Sequence, residues 1–279
     1  MQEVVYGITY TKPQVVLLQH TGIGVAETAA RTCYDSFANS ENKVIQELQA
    51  KLPDLSACQT INEIDSSELL DDLAWTYFHH SILEHANLSY LVRGTSRGVL
   101  QEHARHRIQA ISVRSTRYTM SGLINAFVAS DGDKEFFIQT VLGYDMFVTA
   151  DETYNRLEIE AMYNKLQLQK ESVKDFYALA VAKSSLPLLK EFKNQPQKLY
   201  EALQNGKKKR NVGDAFKHII TDNVKVDMVI TFNLRSLKNY LSLRDSGAAY
   251  FQIRWLAQEM KKVTPSKYLD LIVKNKEDK

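Results

Sequence analysis

The sequence predicts an α+β fold, with a central antiparallel or mixed sheet flanked by helices and a largely helical middle and C-terminal part. Strand-like and helical runs do not alternate regularly, which argues against a doubly wound parallel sheet. Neither GxGxxG nor a P-loop pattern is present, so the two common phosphate-binding loops are missing from the sequence. No repeat or low-complexity linker divides the 279 residues, and a single domain over 1–279 is expected.

The elements of the N-terminal half follow from local sequence signals. Short β-rich runs predict strands, and apolar residues at helical spacing predict helices. The expected strands are 4–10, 15–18 and 87–92, and the expected helices are 22–35, 44–51, 66–78 and 95–106. Lys12-Pro13 supplies a turn after the first strand, Pro53 ends the second helix, and Ser66 or Ser67 caps the third.

The C-terminal half begins with a stretch at 108–118 that predicts an extended chain. The later elements are a mostly helical region from 134 to about 185 that breaks near Gly143, a strand at 225–232, and amphipathic helices at 234–243 and 249–263. Pro187 and Pro196 interrupt the chain between them. The KKKR run at 207–210 follows Asn205-Gly206 and predicts a solvated loop.

The composition is that of an ordinary globular protein. Hydrophobic residues make up 44% of the chain, charged residues 24%, and the net charge is +2, which does not favour a nucleic-acid-binding chain. Two cysteines, Cys33 and Cys58, are too few for a disulfide framework and fit a reducing compartment. No signal-peptide pattern and no bilayer-length apolar run are present, so a cytoplasmic protein is expected.

Positive charge is concentrated in RHRIQAISVRSTRY, residues 105–118. In an extended chain Ser115 and Arg117 share one face, and a hydroxyl beside a guanidinium suits a phosphate or a carboxylate. A surface helix and edge strand with solvated arginines remain an alternative. Ser115 lacks a G-x-S-x-G context and a paired base, which favours a ligand-positioning hydroxyl over a nucleophile.

Two further polar clusters are HHSILEH at 79–85 and NLRSLKNYLSLR at 233–244. The three histidines of the first do not have the i, i+4 spacing of a zinc-binding helix, so structural or ligand-contacting roles are favoured over a metal site. In the second, Arg235 and Asn239 lie one helical turn apart, although a plain surface helix would also explain this pattern. Together the clusters indicate a polar, anionic, flat ligand.

Arg105-His106-Arg107, seven intervening residues and then Ser115 resemble the RHR-x7-S signature of the flavin-dependent thymidylate synthases. The surrounding stretches are similar to that family in the same order along the chain, from about residue 25 to 255. They are AARTCY at 29–34, HHSILEH, the Ser96-Arg97 pair, STRY at 115–118 and the N-x-R-S-x-x-N-x-x-x-x-R element within 233–244.

The resemblance implies one catalytic domain that makes dTMP from dUMP. The carbon donor would be methylenetetrahydrofolate, and FAD reduced by NADPH would supply the hydride. A homotetramer with shared active sites is implied, without a metal, a nucleic-acid partner or a membrane partner.

The resemblance also assigns ligand contacts to individual residues. It implies FAD-binding by His79, Ser81, Arg105, His106, Arg107, Asn233, Arg235 and Asn239. It implies dUMP-binding by Glu102, Arg105, Ser115, Thr116, Arg117, Lys217 and Arg244. Arg244 would be catalytic, because a fixed cation beside the uracil ring favours ionisation of N3 and raises electron density at C5.

The sequence departs from the family pattern at several positions, which suggests a divergent subgroup with the same reaction. Glu102 stands where a glutamine is usual, so this carboxylate is expected to pair with an arginine or a base edge instead, and Gln101 to shift into the glutamine's place. Val113 replaces a usual glutamate. Lys217 replaces an arginine that would hold phosphate, and lysine keeps the positive charge but lacks the paired N–H donors of a guanidinium.

Three other functions stay open from the residues alone. A flavin-binding reductase without methyl transfer would oxidise NADPH independently of dUMP. A metal-dependent nucleotide hydrolase would use the histidines of 79–85 with His106. A nucleic-acid-binding protein would use KKKR and the RHR region and would show steep salt dependence.

Overall fold

The computed structural model describes residues 1–49, 64–173 and 213–274. Its strands are β1 (Gln2–Val5), β2 (Ile8–Thr11), β3 (Gln14–His20), β4 (Asn87–Ser96), β5 (Ala110–Val113) and β6 (Lys225–Asn233). Its α-helices are α1 (Gly24–Cys33), α2 (Lys43–Glu47), α3 (Glu68–Trp75), α4 (Arg97–His103), α5 (Thr116–Ser130), α6 (Lys134–Leu142), α7 (Glu152–Leu168), α8 (Leu234–Arg244), α9 (Phe251–Val263) and α10 (Ser266–Ile272). Short 3₁₀ segments lie at Phe37–Asn39, His80–His85 and Gly213–Ile219.

The chain divides into two compact units. The first is built from Met1–Thr11 and Arg114–Lys225, and the second from Lys12–Val113 and Val226–Lys279. Helices combine with antiparallel strand pairs, so the predicted α+β class is confirmed. The expectation of a single catalytic domain over 1–279 stays a prediction.

The second unit contains a four-stranded sheet in the order β3-β4-β6-β5. β3 pairs antiparallel with β4, and β5 pairs antiparallel with β6. Alternate residues of β4 and β6 are buried, as period-2 strands with one covered face require. Each of these two central strands runs directly into a helix, β4 into α4 and β6 into α8, and this connection places both helices of the predicted site.

Side-chain caps set the beginnings of the helices in this unit. The Ser67 hydroxyl accepts from the backbone N–H of Leu70 at 3.4 Å and begins α3, which confirms the predicted serine cap. Ser96 caps α4 in the same way through the N–H of Val99 at 3.2 Å. The helices then cover the inner face of the sheet, where Tyr90, Phe232 and Tyr240 are all fully buried.

The first unit contains the β1–β2 hairpin and the helices α5, α6 and α7. The single strand predicted at 4–10 is wrong in detail, because Tyr6 and Gly7 both have positive φ and form a two-residue turn that splits the run into two paired strands. The helices pack through a separate apolar core that includes rings of Phe127, Phe137 and Tyr163.

The extended chain predicted over 108–118 is also wrong beyond Val113. Only Ala110–Val113 forms a strand, and α5 begins at Thr116. The Ser115 hydroxyl accepts from the N–H of Arg117 at 3.3 Å and turns the chain into this helix. The shared strand face proposed for Ser115 and Arg117 therefore does not exist.

Several sequence predictions fall outside the described residues: the end of the second helix at Lys51 and Pro53, the thiol of Cys58, the prolines Pro187 and Pro196, and the KKKR run. Cys33 is an exposed free thiol. In the described part of the chain no helix is long and apolar enough to cross a membrane.

Candidate functional site

The RHR stretch lies immediately after α4, in the second unit. α4 ends at His103, with Ala104 at its C-cap, so Arg105, His106 and Arg107 follow in the loop that leads to β5. Gln109 holds this loop, because its side-chain amide donates to the carbonyl oxygens of His106 at 2.7 Å and His103 at 3.2 Å. The backbone of the three basic residues is thus held in a fixed position just after the helix.

The C-terminal polar element forms α8, as its helical spacing predicts. Asn233 is the N-cap, and its side-chain oxygen accepts from the backbone N–H of Ser236 at 2.8 Å. Leu234, Leu237 and Leu241 of this helix are buried in the apolar core of the unit, and the helix packs against the 3₁₀ segment His80–His85, α9 and α10. The opposite side carries Arg235 and Asn239, both of which line a cavity of the second unit.

Arg244, at the end of α8, connects the two motifs. Its Nε donates to Nε2 of His106 at 2.8 Å, one Nη donates to the Glu102 carboxylate at 2.9 Å, and the other donates to the Glu102 backbone carbonyl at 3.3 Å. The Arg244 side chain is only 15% exposed. The expected pairing of Glu102 with an arginine is confirmed, and Glu102 also lies 3.3 Å from Arg105.

These contacts determine the protonation state of His106. Because Nε2 accepts a hydrogen bond from Arg244, the ring is neutral and carries its proton on Nδ1. Burial is the largest cause that lowers the His106 pKa, followed by the positive charges of Arg244 and Arg105. The ring also packs edge-on against Tyr240, with 4.7 Å between centroids.

A buried support behind the site was missed by the sequence analysis. His103 is fully buried, with Nε2 2.8 Å from Oε1 of Gln109 and Nδ1 3.2 Å from the Tyr240 hydroxyl. Burial lowers the His103 pKa to about 4 and raises the Tyr240 pKa, so both groups are neutral. Helical spacing predicts that Tyr240 faces the core, but no sequence signal identifies its histidine partner.

The cavity has a volume of about 1140 Å³ and is rich in cationic side chains. Those lining it are Arg105, Arg107, Arg235, Lys238, Arg244, Lys261 and Lys274, with His80 and His106 also present. The two acids of the lining are already paired, Glu84 with Arg235 at 2.5 Å and Asp245 with Lys261 at 2.8 Å. The cavity therefore suits an anionic ligand.

The HHSILEH stretch forms the 3₁₀ segment His80–His85. His79 precedes it and has Nδ1 3.0 Å from the Tyr34 hydroxyl. His80 reaches the cavity, whereas Ser81 is exposed and has no place in the lining. In the described ranges no group of three His, Cys, Asp or Glu side chains is arranged to hold a metal ion.

The remaining predicted dUMP-binding residues belong to the first unit. Ser115 precedes α5, and Thr116 and Arg117 form its first turn. Lys217 is exposed on the 3₁₀ segment Gly213–Ile219, which packs against α5. These four residues share a unit, and their participation in the site stays a prediction.

Comparisons with known proteins agree on one family. A family model described as "Thymidylate synthase complementing protein" matches residues 16–266. A flavin-dependent thymidylate synthase of Campylobacter jejuni is 29% identical over 255 residues, covering 91% of this chain and 93% of its own. One from Wolinella succinogenes is 28% identical over 267 residues, covering 94% and 98%.

Solved structures share the fold. Thymidylate synthase X from Helicobacter pylori, in a crystal structure with FAD and dUMP, aligns with a TM-score of 0.58 at 23% identity and covers 94% of this chain and 97% of its own. This likeness supports the architecture described above.

Proposed function

The chain belongs to the flavin-dependent thymidylate synthase family, and from that premise we propose that it converts dUMP to dTMP. Methylenetetrahydrofolate donates the carbon, and FAD reduced by NADPH supplies the hydride. The observation that carries this proposal is the contact between two distant motifs, since Arg244 bonds to His106 and Glu102 across 138 and 142 residues of sequence.

The residues present fit FAD. A flavin nucleotide offers a diphosphate and a ring system with several carbonyl and nitrogen acceptors, which call for guanidinium and amide donors. The cavity provides Arg105, Arg107, Arg235 and Asn239 for this purpose. A bound reduced flavin would supply the hydride that completes the methyl group. His79, Ser81, His106 and Asn233 are the other proposed FAD contacts.

Arg244 is the proposed catalytic residue. His106 and Glu102 fix its guanidinium in direction before substrate arrives, so little reorganisation is needed when charge develops on uracil. The positive charge would stabilise the N3-deprotonated ring, and the resulting electron density at C5 would attack the methylene carbon as one carbon–nitrogen bond of the folate breaks. C5 would then lose its proton, the second carbon–nitrogen bond would break to release tetrahydrofolate, and hydride would complete the methyl group. The Glu102 carboxylate opposes this effect, and uracil therefore has to displace or share its bond to Arg244.

The dUMP phosphate is proposed to bind Ser115, Thr116, Arg117 and Lys217. The first three lie where α5 begins, and a helix start offers backbone N–H groups to an anion. Lys217 adds a positive charge on an element that packs against α5. The family resemblance further supports a homotetramer with shared active sites and a cytoplasmic enzyme.

A visible absorption spectrum of the purified protein, recorded with FAD and then with added dUMP, tests the binding half of this proposal. We expect a flavin band that dUMP shifts, because both ligands occupy one site. A protein that takes up no flavin even from excess FAD would contradict the proposal.

Turnover tests the chemical half. Formation of dTMP should require dUMP, methylenetetrahydrofolate, NADPH and FAD together. NADPH oxidation at the same rate with and without dUMP, and without dTMP, would instead identify a flavin reductase.

A further inference from the structure

Lys238 lies in the cationic cavity but has no role in the assignments made above. It is on α8, three residues after Arg235 and six before Arg244, and lines the same cavity as both. It occupies a variable position of the N-x-R-S-x-x-N-x-x-x-x-R element, so the family pattern gives it no function.

Three groups hold the Lys238 ammonium in place. Its Nζ lies 3.6 Å from the centroid of the Trp75 ring, donates to the Ala74 carbonyl at 3.2 Å and lies 3.2 Å from Nε2 of His80. Trp75 is anchored in turn, because its Nε1–H donates to the carbonyl of Asp270 at 2.8 Å. An aromatic face, a carbonyl and an imidazole thus define the position of this cation.

What the ammonium lacks is a counter-charge. No carboxylate within 1–49, 64–173 or 213–274 pairs with Lys238, whereas Lys261 in the same cavity is paired with Asp245 at 2.8 Å. Burial lowers the Lys238 pKa to about 8. A partly buried cation without a counter-ion is costly, and an anionic ligand that binds beside it offsets this cost.

We propose that Lys238 is a further ligand-binding residue of this cavity and that its ammonium contacts a phosphate oxygen of a bound nucleotide. The proposal rests on the proposed function, which supplies two sources of phosphate: the diphosphate of FAD and the monophosphate of dUMP. Trp75 and the Ala74 carbonyl orient the ammonium, so the phosphate meets a fixed donor rather than a freely moving side chain.

The test uses two substitutions of Lys238 and one matched control in the full-length protein. Lys238→Met removes the charge but keeps an unbranched chain over Trp75, Lys238→Arg keeps the charge, and Lys262→Met removes a positive charge of α9 that lies outside the cavity lining. FAD affinity is measured by flavin fluorescence, and dUMP affinity by the change in flavin absorbance. Pyrophosphate affinity is measured by calorimetry on the flavin-free protein.

We expect Lys238→Met to lower the affinity for either FAD or dUMP by about 10- to 100-fold, which is the effect of losing one hydrogen bond to a charged group. Weaker FAD binding would identify the diphosphate of FAD as the group that Lys238 contacts, and weaker dUMP binding would identify the monophosphate of dUMP. Lys238→Arg should restore most of the affinity, and Lys262→Met should change it little. Unchanged binding of both nucleotides by Lys238→Met, or equal losses in Lys238→Met and Lys238→Arg, would overturn the proposal.

The pyrophosphate titration separates this proposal from the proposed function. If the unaltered protein binds neither nucleotide, the proposed function fails on its own account. Lys238 is then still supported if pyrophosphate binds to the unaltered protein and Lys238→Met abolishes that binding. Equal pyrophosphate binding by both proteins, or none by either, would reject Lys238 as a phosphate contact.

Discussion

The two arginine–glutamate pairs of α8 lie at opposite ends of one helix and have different surroundings. At the start, Arg235 pairs with Glu84, and their side chains are 54% and 46% exposed. At the end, Arg244 pairs with Glu102, with exposures of 15% and 34%. Arg244 adds bonds to His106 and to a backbone carbonyl, so all its guanidinium nitrogens are engaged.

This difference separates two ways of presenting an arginine to a ligand. An exposed pair contributes little stability, so Arg235 exchanges its carboxylate for a ligand group at small cost. A partly buried pair fixes the direction of the guanidinium, and releasing it needs a replacement for the lost charge. Under the proposed function, the start of α8 would therefore hold a ligand, and its end would stabilise developing charge.

Removal of Arg244 has the largest expected effect. In Arg244→Ala, dTMP formation should fall about 10²- to 10³-fold, because one preorganised donor to developing negative charge is lost. FAD should remain bound, since Arg235 and the RHR residues are unaltered. Single-turnover formation of dTMP, with the flavin spectrum recorded on the same sample, measures both quantities.

Arg244→Lys is the matched control for this prediction. It keeps the charge but replaces the planar guanidinium, which places three nitrogens against His106 and Glu102, with a single ammonium nitrogen, and intermediate activity is expected. If Arg244→Ala formed dTMP at a near-normal rate, the assignment of Arg244 as the catalytic residue would be wrong.

The two histidines at and just after the end of α4, His103 and His106, make stability depend on pH. Burial lowers the pKa of His103 from 6.5 to about 4, and the pKa of His106 is lowered in the same direction. The folded state therefore favours the neutral rings, and the stability they contribute is present above pH 6.5 and is lost as the pH falls towards 4. His103 alone accounts for a loss of about 3 kcal/mol in the free energy of unfolding.

Urea unfolding at a series of pH values between 7 and 4.5 measures this loss. The variant His103→Gln should be less stable at pH 7 but should show a smaller slope against pH, since one titrating group is gone. An unchanged slope in this variant would assign the pH dependence to other groups.

Replacing Glu102 with glutamine has a smaller effect, on substrate affinity. Glu102→Gln keeps an acceptor for Arg244 but removes the negative charge that competes with dUMP for it. Because charged and neutral hydrogen bonds differ by about 1 kcal/mol, dUMP should bind about fivefold more tightly. Titration of the flavin absorbance with dUMP measures this affinity. Weaker dUMP binding would show instead that the carboxylate itself contacts the nucleotide.

The sequence predicted the second unit better than the first. In the second unit the caps at Ser67 and Ser96 and the helix after Asn233 were readable, because capping side chains and apolar spacing are local signals. In the first unit, Arg114 and Arg117 obscured the apolar spacing of α5. Met120, Leu123 and Phe127 are buried on that helix, at spacings of three and four residues.

The candidate site shows the same limit. The RHR motif and Arg244 were identified from sequence, but their contact joins residues 138 positions apart, and no local pattern encodes such a distance. The partners of the buried His103 depend on how α4, α8 and the loop holding Gln109 pack together. The same holds for Lys238, whose position is defined by Trp75 on a different helix.

The smallest expected effect is that of Glu84→Gln, which alters the exposed pair as Glu102→Gln alters the partly buried one. We expect the free energy of unfolding to change by less than about 1 kcal/mol and dUMP affinity to stay the same, because water already screens Arg235 and Glu84. Urea unfolding and a dUMP titration, run beside those of Glu102→Gln, measure both. A larger loss of stability, or a gain in dUMP affinity equal to that of Glu102→Gln, would mean that exposure does not separate the two ends of α8. Their different roles would then have to come from the ligand alone.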